Sequence, residues 1–323
     1  MTMTSAPATA DLEVLARLVA PVGRAVGAEP LSGGMFATTH RVTLDDGTRV
    51  VVKQAPAGDS RLLTHEHDLL RTEALVYGLA ADRPALRMPR LLHVDLSRTV
   101  VEGDVVVASH LDGTPADRLG LYPSADDARV GRLVRDLGAV VAELRSVTGP
   151  VFGYPGRPAL QAPSWPDAFR LVVEALLADA ARWRVEVPAD EVRAALVRHG
   201  DALAQVTRPS LVHTDLWPGN LFVDEATGAL LGVIDPERAV WGDPVLELSG
   251  VDAFGPAEPH PGLVAAAGLT LDADARRRLE LYRMWMGLVM TVEVAPRGYA
   301  GDWVAGHRAS VAALLRSALA ALA

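Results

Sequence analysis

The sequence predicts an α+β protein in which a small antiparallel β-sheet precedes a larger, mainly helical part. Short β-branched runs separated by turn signals are concentrated in the first 112 residues, whereas stretches with apolar residues at helical spacing dominate the remainder. We therefore divide the chain into an N-terminal lobe, residues 1–112, and a C-terminal lobe, residues 113–323. The 323 residues suffice for two such units, since domains commonly contain ~100–200 residues.

Composition restricts both the class of protein and its chemistry. Half of the residues are hydrophobic and 22% are charged, as in ordinary folded globular chains. The sequence contains no cysteine, which excludes disulfides, thiolate metal sites and cysteine nucleophiles. A net charge of -9 without a Lys/Arg cluster argues against a nucleic-acid partner. Since the sequence shows neither a secretory signal pattern nor a long apolar run, we expect a cytoplasmic protein with no membrane contact.

Two helices and a hairpin are predicted in the N-terminal lobe. Apolar spacing indicates one helix over residues 11–27 and another over residues 64–80, with Glu73 in the middle of the second. Between them, two β-branched runs flank residues 45–47, Asp-Asp-Gly, which is a signal for a tight hairpin turn. Lys53 therefore lies at the end of the second strand of this hairpin.

Further features of this lobe concern glycines, strands and histidines. Gly33 and Gly34 precede the hairpin, where the lack of a side chain would let the backbone approach a ligand closely. The runs "RLLHVDL" and "DVVVASHLDG" predict two more strands. His65 and His67 are expected to lie on the exposed first turn of the second helix, rather than in a metal site.

The C-terminal lobe is predicted to be built mainly of long amphipathic helices. The first begins near Ser124, where Asp127 three residues later resembles a capping box. Its apolar face is formed by Val130, Leu133, Val134, Leu137, Val140, Val141 and Leu144. Further helices are expected over residues 167–186, 190–206, 274–295 and 308–322.

Lys53 is the only lysine among 31 basic residues, all others being arginine. A lysine retained in such a sequence indicates a site that needs a compact ammonium group and cannot accept a planar guanidinium. Because Gln54 follows it, Lys53 is not part of a P-loop, which requires Gly-Lys-Ser/Thr. The usual signatures of serine hydrolases, zinc proteases, β-lactamases and dinucleotide-binding folds are also missing from the sequence.

The chemically richest segment lies between the helices of the C-terminal lobe. His213, Asp215 and Asn220 form the pattern H-x-D-x-x-x-x-N, and the apolar run "LLGVI" leads directly to Asp235. Asp243 follows eight residues later in Gly-Asp-Pro. Transfer of a phosphoryl group needs a carboxylate near the acceptor hydroxyl, oxygen ligands for Mg²⁺ and a cation on the nucleotide phosphates. This chain offers all three.

We therefore expect Asp215 to face the acceptor, and Asn220 and Asp235 to face the metal. Lys53, held in place by Glu73, would reach the nucleotide phosphates from the other lobe. Taken singly, these residues have simpler explanations: Asp-x-x-x-x-Asn is common, Gly-Asp-Pro is usually only a turn, and a helix glutamate usually faces solvent. His213 is expected to be a buried hydrogen-bonding brace. Their joint occurrence, in the order that a two-lobed kinase requires, favours a role in phosphoryl transfer.

The blocks "HTDLWPGN" and "VIDPERAVWGDP" closely resemble the two signature blocks of the aminoglycoside phosphotransferase family, which is related to choline and fructosamine kinases. The resemblance extends more loosely to "SGGMFATTHRV", "VVVK" and "RTEA". It implies a two-lobed protein kinase-like fold over most of the chain. It also implies Asp215 as catalytic base, Asn220 and Asp235 as Mg²⁺ ligands, Lys53 on the α- and β-phosphates, Glu73 as anchor of Lys53, and Asp243 as a brace of the catalytic loop.

Departures from protein kinases narrow the substrate class. The sequence has no D-F-G or A-P-E motif, and only residues 236–242 separate Asp235 from Asp243, so there is no activation loop and no protein substrate is expected. We predict an ATP- or GTP-dependent kinase that phosphorylates a hydroxyl of an antibiotic or amino sugar. If the acceptor is an antibiotic, the enzyme would confer antibiotic resistance. The alternative is a metabolite kinase for a sugar amine, amino alcohol or nucleoside-type compound, and a third reading is a nucleotide-binding pseudokinase.

The sequence does not select the acceptor. The net charge of -9 favours a cationic or neutral compound over an anionic one. Candidate acceptor-contacting residues are Glu247, Asp252, Tyr282, Arg283 and Trp285, although a purely structural role is expected of each and the run "YRMWMGLVM" is typical of core packing.

Overall fold

The N-terminal lobe of this computed structural model, which describes residues 12–31 and 36–323, is built around one antiparallel sheet. Its elements are α1 (Leu12–Val19), β1 (Ala25–Leu31), β2 (Thr38–Leu44), β3 (Arg49–Gln54), α2 (Leu69–Ala80), β4 (Leu91–Asp95) and β5 (Val105–Ser109). The five strands are ordered β1-β2-β3-β5-β4. The α+β class, with a sheet preceding helices, is confirmed.

The predicted hairpin is confirmed as the pair β2 and β3. The strands are antiparallel, with Thr39 opposite Lys53 and Thr43 opposite Arg49, and Gly47 adopts a φ of 84° in the turn between them. Glycine tolerates this conformation, which side chains disfavour. β3 is also paired with β5, so Lys53 lies on a central strand of the sheet and its backbone is fixed from both sides.

Two sequence predictions for this lobe were wrong. The first helix ends at Val19 instead of near Gly27, because the chain turns at Pro21 and then enters β1. The second helix begins at Leu69, since Asp68 adopts a left-handed φ of 60° and interrupts the helical path. Residues 64–66 form a separate 3₁₀ turn. Gly33 and Gly34 lie outside the described residues.

The C-terminal lobe is mainly helical, with short strands around the segment of residues 210–243. Its helices are α3 (Val130–Ser146), α4 (Trp165–Arg182), α5 (Ala189–Arg198), α6 (Gly200–Ala204), α7 (Glu247–Val251), α8 (Pro261–Ala266), α9 (Ala273–Val292), α10 (Val294–Arg297) and α11 (Trp303–Ala321). Its strands are β6 (Thr114–Pro115), β7 (Phe152–Gly153), β8 (Gln161–Ala162), β9 (Ser210–Val212), β10 (Leu221–Val223), β11 (Leu230–Val233) and β12 (Val240–Gly242).

The core of this lobe forms on the apolar face of α3. All seven residues predicted for that face are buried. The helix begins at Val130, later than the predicted start near Ser124, and no side chain caps it. Within residues 12–31 and 36–323, no helix combines the length and the apolar character needed to cross a membrane.

The segment between β3 and α2 attaches the two lobes to one another. The backbone N–H of Thr64 donates to Asp179 of α4 at 2.6 Å. Glu66 is buried and forms ion pairs with Arg297 at 2.5 Å and with Arg238 at 3.5 Å. The predicted division after residue 112 falls between β5 and β6, and as a statement about domains it stays a prediction.

Replacing Gly138 by alanine tests the close packing of α3 on α8. A Cβ atom at this buried position would lie 2.5 Å from Ala266 Cβ and 2.9 Å from the Leu263 carbonyl oxygen. We expect Gly138→Ala to lower the free energy of unfolding by about 1–3 kcal/mol, measured by urea denaturation, because the helices must separate.

Gly131→Ala, in the same helix, is the matched control. Its new Cβ would meet nothing closer than Arg135 Nη1 at 3.6 Å, and alanine is the better helix former by about 0.5–1 kcal/mol. This variant should be neutral or slightly more stable. Equal destabilisation of both variants would contradict the packing argument.

Candidate active site

Lys53 and two carboxylates form a charged centre where the two lobes meet. Lys53 Nζ lies 2.8 Å from Glu73 Oε2 on α2 and 2.6 Å from Asp235 Oδ1, which follows β11 in the C-terminal lobe. The Lys53 side chain is only 13% exposed. Burial acts to lower the pKa of Lys53, but Asp235 and Glu73 more than offset it and raise that pKa well above its ordinary value. Lys53 is therefore a permanent cation.

Asp235 is presented to Lys53 by an unusual backbone turn. Its φ of 68° and ψ of 47° are left-handed, which is uncommon for a residue with a side chain and directs its carboxylate away from the course of β11. Its N–H donates to the Tyr77 hydroxyl at 3.4 Å. Burial acts to raise the pKa of Asp235, yet the Lys53 charge outweighs this and lowers it. Asp235 is thus an anion at neutral pH.

Glu237 joins this centre and was missed by the sequence analysis. Ligand oxygens of Glu73, Asp235 and Glu237 all lie within 4.8 Å of one another. Burial and the neighbouring Asp235 charge raise the pKa of Glu237 well above its ordinary value. The available signal was the acidic residue two positions after Asp235. Such a group of oxygen ligands suits a hard divalent cation, which would also relieve the repulsion among them.

Asp215 and Asn220 lie together on the loop between β9 and β10. Asn220 Nδ2 donates to Asp215 Oδ2 at 3.1 Å and to the Asp215 carbonyl oxygen at 2.8 Å. Its amide oxygen accepts no hydrogen bond from the described part of the chain, so a metal could use it. Thr214 has a left-handed φ of 70°, which turns the chain sharply just before Asp215. The two side chains therefore form one unit with fixed geometry.

His213 connects this loop to the end of the next strand. The Asp215 N–H donates to His213 Nδ1 at 3.3 Å, so that nitrogen carries no proton. Nε2 therefore carries the proton and donates to the Ile234 carbonyl oxygen at 3.0 Å. Burial lowers the pKa of His213 to about 4. A neutral imidazole with both nitrogens engaged positions the loop and is not free to exchange protons.

Glu247, at the start of α7, holds the same loop by its backbone. Its two carboxylate oxygens accept the N–H groups of His213 at 2.5 Å and of Thr214 at 3.1 Å. Burial raises the pKa of Glu247 to about 8, and the two donors pull it in the opposite direction. Glu247 had been considered as an acceptor contact, but it is 1% exposed and its carboxylate is already used.

The sequence predicts that Asp243 braces the loop of residues 213–220, but its carboxylate contacts other residues. It accepts hydrogen bonds from Arg278 Nε at 2.7 Å, from the Tyr282 hydroxyl at 2.8 Å and from the Val245 N–H at 3.1 Å. No hydrogen bond joins its side chain to residues 213–220 in the described structure. Asp243 therefore connects the start of α7 to α9, while Glu247 makes the direct contact with the loop.

A small cavity opens beside Asp215. It is lined by His65, Tyr154, Thr214, Asp215, Arg238, Trp285, Met286 and Val289. The expectation of an exposed His65 was wrong, since this ring is buried and stacks on Tyr154 with 5.6 Å between ring centroids. Of the acceptor candidates, Trp285 lines this cavity, whereas Tyr282 is buried and its hydroxyl is bonded to Asp243.

Arg238 governs the charge next to Asp215. Burial raises the pKa of Asp215 to about 6, and the Arg238 charge acts to lower it. Arg238 Nη2 pairs with Glu293 at 3.0 Å and with Glu66 at 3.5 Å, so it cannot move freely. The sequence analysis did not single out Arg238, because an arginine in a chain rich in arginine carries no distinctive signal.

The structure thus brings the predicted residues together in two groups. Lys53, Glu73 and Asp235 form one, and His213, Asp215 and Asn220 form the other. The groups are near enough that the Asp235 charge helps to raise the pKa of Asp215. The arrangement brings together a cation, a group of oxygen ligands and a carboxylate with a raised pKa.

Comparison with known proteins identifies a family. The sequence matches the Phosphotransferase enzyme family (APH) over residues 27–282. Comparison with curated proteins gave no match.

Three solved structures show the likeness of fold. A candidate fructosamine-3-kinase from Thermobifida fusca YX-ER1 has a TM-score of 0.69 at 20% identity, covering 96% of this chain and 99% of that one. A thermostable mutant of aminoglycoside phosphotransferase APH(4)-Ia, in a ternary complex with AMP-PNP and hygromycin B, has a TM-score of 0.65 at 18% identity, covering 93% and 97%. The GDP complex of aminoglycoside 2'-phosphotransferase-IIIa has a TM-score of 0.60 at 16% identity, covering 95% and 98%.

At these identities, the structural comparison establishes the fold and not the substrate. The match to the family model establishes membership of the family, because it extends from β1 to α9 and includes Lys53, Asp215 and Asp235. The chain belongs to the Phosphotransferase enzyme family.

Proposed function

We propose that this protein is a small-molecule kinase that transfers the γ-phosphoryl group of ATP or GTP to a hydroxyl of an antibiotic or amino-sugar-like acceptor. The observation that carries the proposal is the position of Lys53 Nζ, 2.8 Å from Glu73 and 2.6 Å from Asp235, in the same cleft as Asp215. A cation held by two carboxylates at the junction of the lobes is the arrangement that nucleotide phosphates require. Such an enzyme would act in the cytoplasm, where it meets both nucleotides.

Asp215 acts as the base in this proposal. The acceptor oxygen attacks the γ-phosphorus, its proton passes to the Asp215 carboxylate, and the bond from phosphorus to the β-phosphate oxygen breaks as the nucleoside diphosphate leaves. Because the transition state of such transfers is loose, positioning contributes more than strong deprotonation. Asn220 supports this role, since its hydrogen bond to Oδ2 at 3.1 Å fixes the direction of the carboxylate.

Magnesium is the metal we infer for this site. Asn220 and Asp235 would hold it, with Glu237 as a third oxygen ligand that the structure adds to the predicted pair. The fit rests on the chemistry of these donors: amide and carboxylate oxygens are the ligands that Mg²⁺ prefers. When bound, the ion neutralises part of the phosphate charge. Lys53 supplies the remaining positive charge from the N-terminal lobe.

The acceptor cavity also supports a second candidate function. Apart from Asp215 itself, the residues lining the cavity include no carboxylate, whereas they include Tyr154, Trp285 and Met286. The cavity, at about 10 Å³, has room for about one water molecule, so it would have to widen to admit any acceptor. A polycationic antibiotic would find few partners among these residues, whereas aromatic side chains suit the face of a sugar or nucleoside ring. This lining favours a metabolite kinase acting on a sugar amine, amino alcohol or nucleoside-type compound as the alternative.

An acceptor screen tests the proposal. Aminoglycosides, nucleoside antibiotics, amino sugars and choline-like compounds are each incubated with the protein, Mg²⁺ and ATP or GTP, and acceptor-dependent release of ADP or GDP is measured. Asp215→Asn is the matched control and should remove the signal. Tight nucleotide binding without turnover on any acceptor would instead support a pseudokinase.

Lys53→Arg should lower turnover at least ~10²-fold, because a forked guanidinium cannot occupy the place of a compact ammonium that contacts Glu73 and Asp235 at once. Steady-state kinetics with the best acceptor measure this loss. Arg41→Lys, which alters an ion pair between β2 and Glu29 of the edge strand β1, is the control and should retain activity. Near-normal turnover of Lys53→Arg would remove the argument from the single lysine.

Asp215→Asn and Asp235→Asn should distinguish the role of the base from that of the metal ligand. Because Asp235 contacts Lys53 and lies in the carboxylate group, Asp235→Asn is expected to weaken binding of the metal–nucleotide complex and to abolish turnover. Asp215→Asn should leave that binding nearly unchanged while slowing the chemical step. Calorimetric titration with Mg²⁺ and AMP-PNP distinguishes them. Equal loss of nucleotide affinity in both variants would contradict the assigned roles.

The pH dependence of kcat/KM should show an acidic limb near pH 6. Burial raises the pKa of Asp215 to about 6, and the base works only when deprotonated, so activity falls as pH decreases through that value. Arg238 acts to lower this pKa, so Arg238→Met should shift the limb to higher pH, whereas Arg238→Lys keeps the charge and should shift it less. A limb that stays in place in both variants would contradict this account.

A further inference from the structure

A second cavity lies in the C-terminal lobe, away from the interlobe cleft. It is formed by α7, α8, the N-terminal half of α9 and the segments that precede α3 and α8. Leu248, Val251, Leu263 and Leu279 contribute apolar walls. Two of the residues once considered for acceptor contact, Asp252 and Arg283, also line it.

Arg283 brings to this cavity a buried cation that has one distant ion-pair partner and no hydrogen bond. The residue is only 8% exposed, and its Nε is buried with no hydrogen-bond partner. Its guanidinium forms an ion pair with Glu280 at 3.7 Å. That distance is beyond hydrogen-bonding range, and no hydrogen bond joins the guanidinium to an acceptor among the described residues. Leaving a buried guanidinium without an acceptor is unfavourable. A ligand oxygen would satisfy it.

Asp252 brings the opposite charge to the same cavity. Its carboxylate accepts a hydrogen bond from the Ser124 hydroxyl at 2.7 Å, but it forms no ion pair with any residue that the structure describes. Glu258, which also lines the cavity, is already paired with Arg276. One nitrogen of His260 is also engaged, because its Nδ1 accepts the Gly262 N–H at 3.0 Å. One guanidinium and one carboxylate therefore face the cavity without pairing with each other.

We propose that this cavity is a binding site for a small amino carboxylate. The ligand carboxylate would lie on Arg283, whose planar fork matches two carboxylate oxygens. The ligand ammonium would lie near Asp252, and an apolar side chain would contact Leu248, Val251 and Leu263. Opposite charges separated by an apolar wall suit a zwitterion better than they suit a simple anion, which Asp252 would repel.

The site is distinct from the cavity beside Asp215. α9 directs Leu279 and Arg283, one turn apart, into the amino carboxylate site, and it directs Trp285, Met286 and Val289 into the other. No lining residue is shared between the two. α7 borders both regions, because Leu248 lines the new site while the adjacent Glu247 holds the catalytic loop. The inference does not depend on the proposed phosphotransfer.

Calorimetric titration of the full-length protein, without nucleotide or acceptor, tests the site. L-Leucine and L-phenylalanine are the probes, with isocaproate and isoamylamine as analogues of leucine that keep only one of its charges. We expect at least one amino acid to bind. For leucine, each analogue should bind at least ~10-fold more weakly, a change of about 1.4 kcal/mol. Arg283→Met should lose binding. Asp252→Asn should weaken binding of the amino acid and strengthen binding of isocaproate, because the carboxylate that repels the anion is removed.

Arg277→Met is the matched control, since Arg277 lies on the same helix but pairs with Asp274 at 2.8 Å on the surface. It should bind the probes as the unaltered protein does. If Arg283→Met does not fold, Arg283→Lys keeps the charge without the fork and should still bind at least ~3-fold more weakly. Absence of binding by both amino acids, equal binding of isocaproate, or unchanged binding by the Arg283 variant would overturn the proposal.

Discussion

The contact of Lys53 with Glu73 and Asp235 is the interaction on which the arrangement of the active site depends. It joins a central strand of the N-terminal sheet, helix α2 and the turn after β11 through one ammonium group. Glu73 is buried, and Lys53 and Asp235 are only 13% and 24% exposed. Removal of any one charge would therefore leave the others uncompensated in a poorly solvated environment. This explains why a single compact cation is kept at Lys53 in a chain that uses arginine elsewhere. It also fixes Asp235 relative to the N-terminal lobe.

Asp215 is positioned by a separate set of contacts. Glu247 accepts two backbone N–H groups of its loop, and neutral His213 connects the loop to Ile234. Both supports are buried and therefore poorly accessible to competing water. Lys53 and Asp215, the proposed base, are thus held by different elements, and the Asp235 charge acts on both. Arg238 forms a third set of contacts, because it pairs with Glu66 before α2 and with Glu293 at the start of α10. Its positive charge acts to lower the pKa of Asp215.

The sequence predicted the features that depend on a local pattern of residues or on composition. The hairpin, the apolar face of α3 and the α+β order followed from local periodicity, and the single lysine stood out by composition. Strand β1 was missed because "AVGAEPL" has weak strand propensity and is ordered by pairing with β2. Glu247 was misread because its partners are 33 and 34 residues away. His65 was misread because only tertiary packing brings Tyr154 against it.

The most direct test of the account is a double-mutant cycle between Lys53 and Glu73. Affinity for Mg²⁺ and AMP-PNP is measured by calorimetry for the unaltered protein, Lys53→Met, Glu73→Gln and the double variant. If Glu73 acts by holding Lys53, as their 2.8 Å contact indicates, Glu73→Gln weakens nucleotide binding in the presence of Lys53 and changes it little when Lys53 is already replaced. Two losses that simply add would show that the residues act independently and would contradict the central role of this contact.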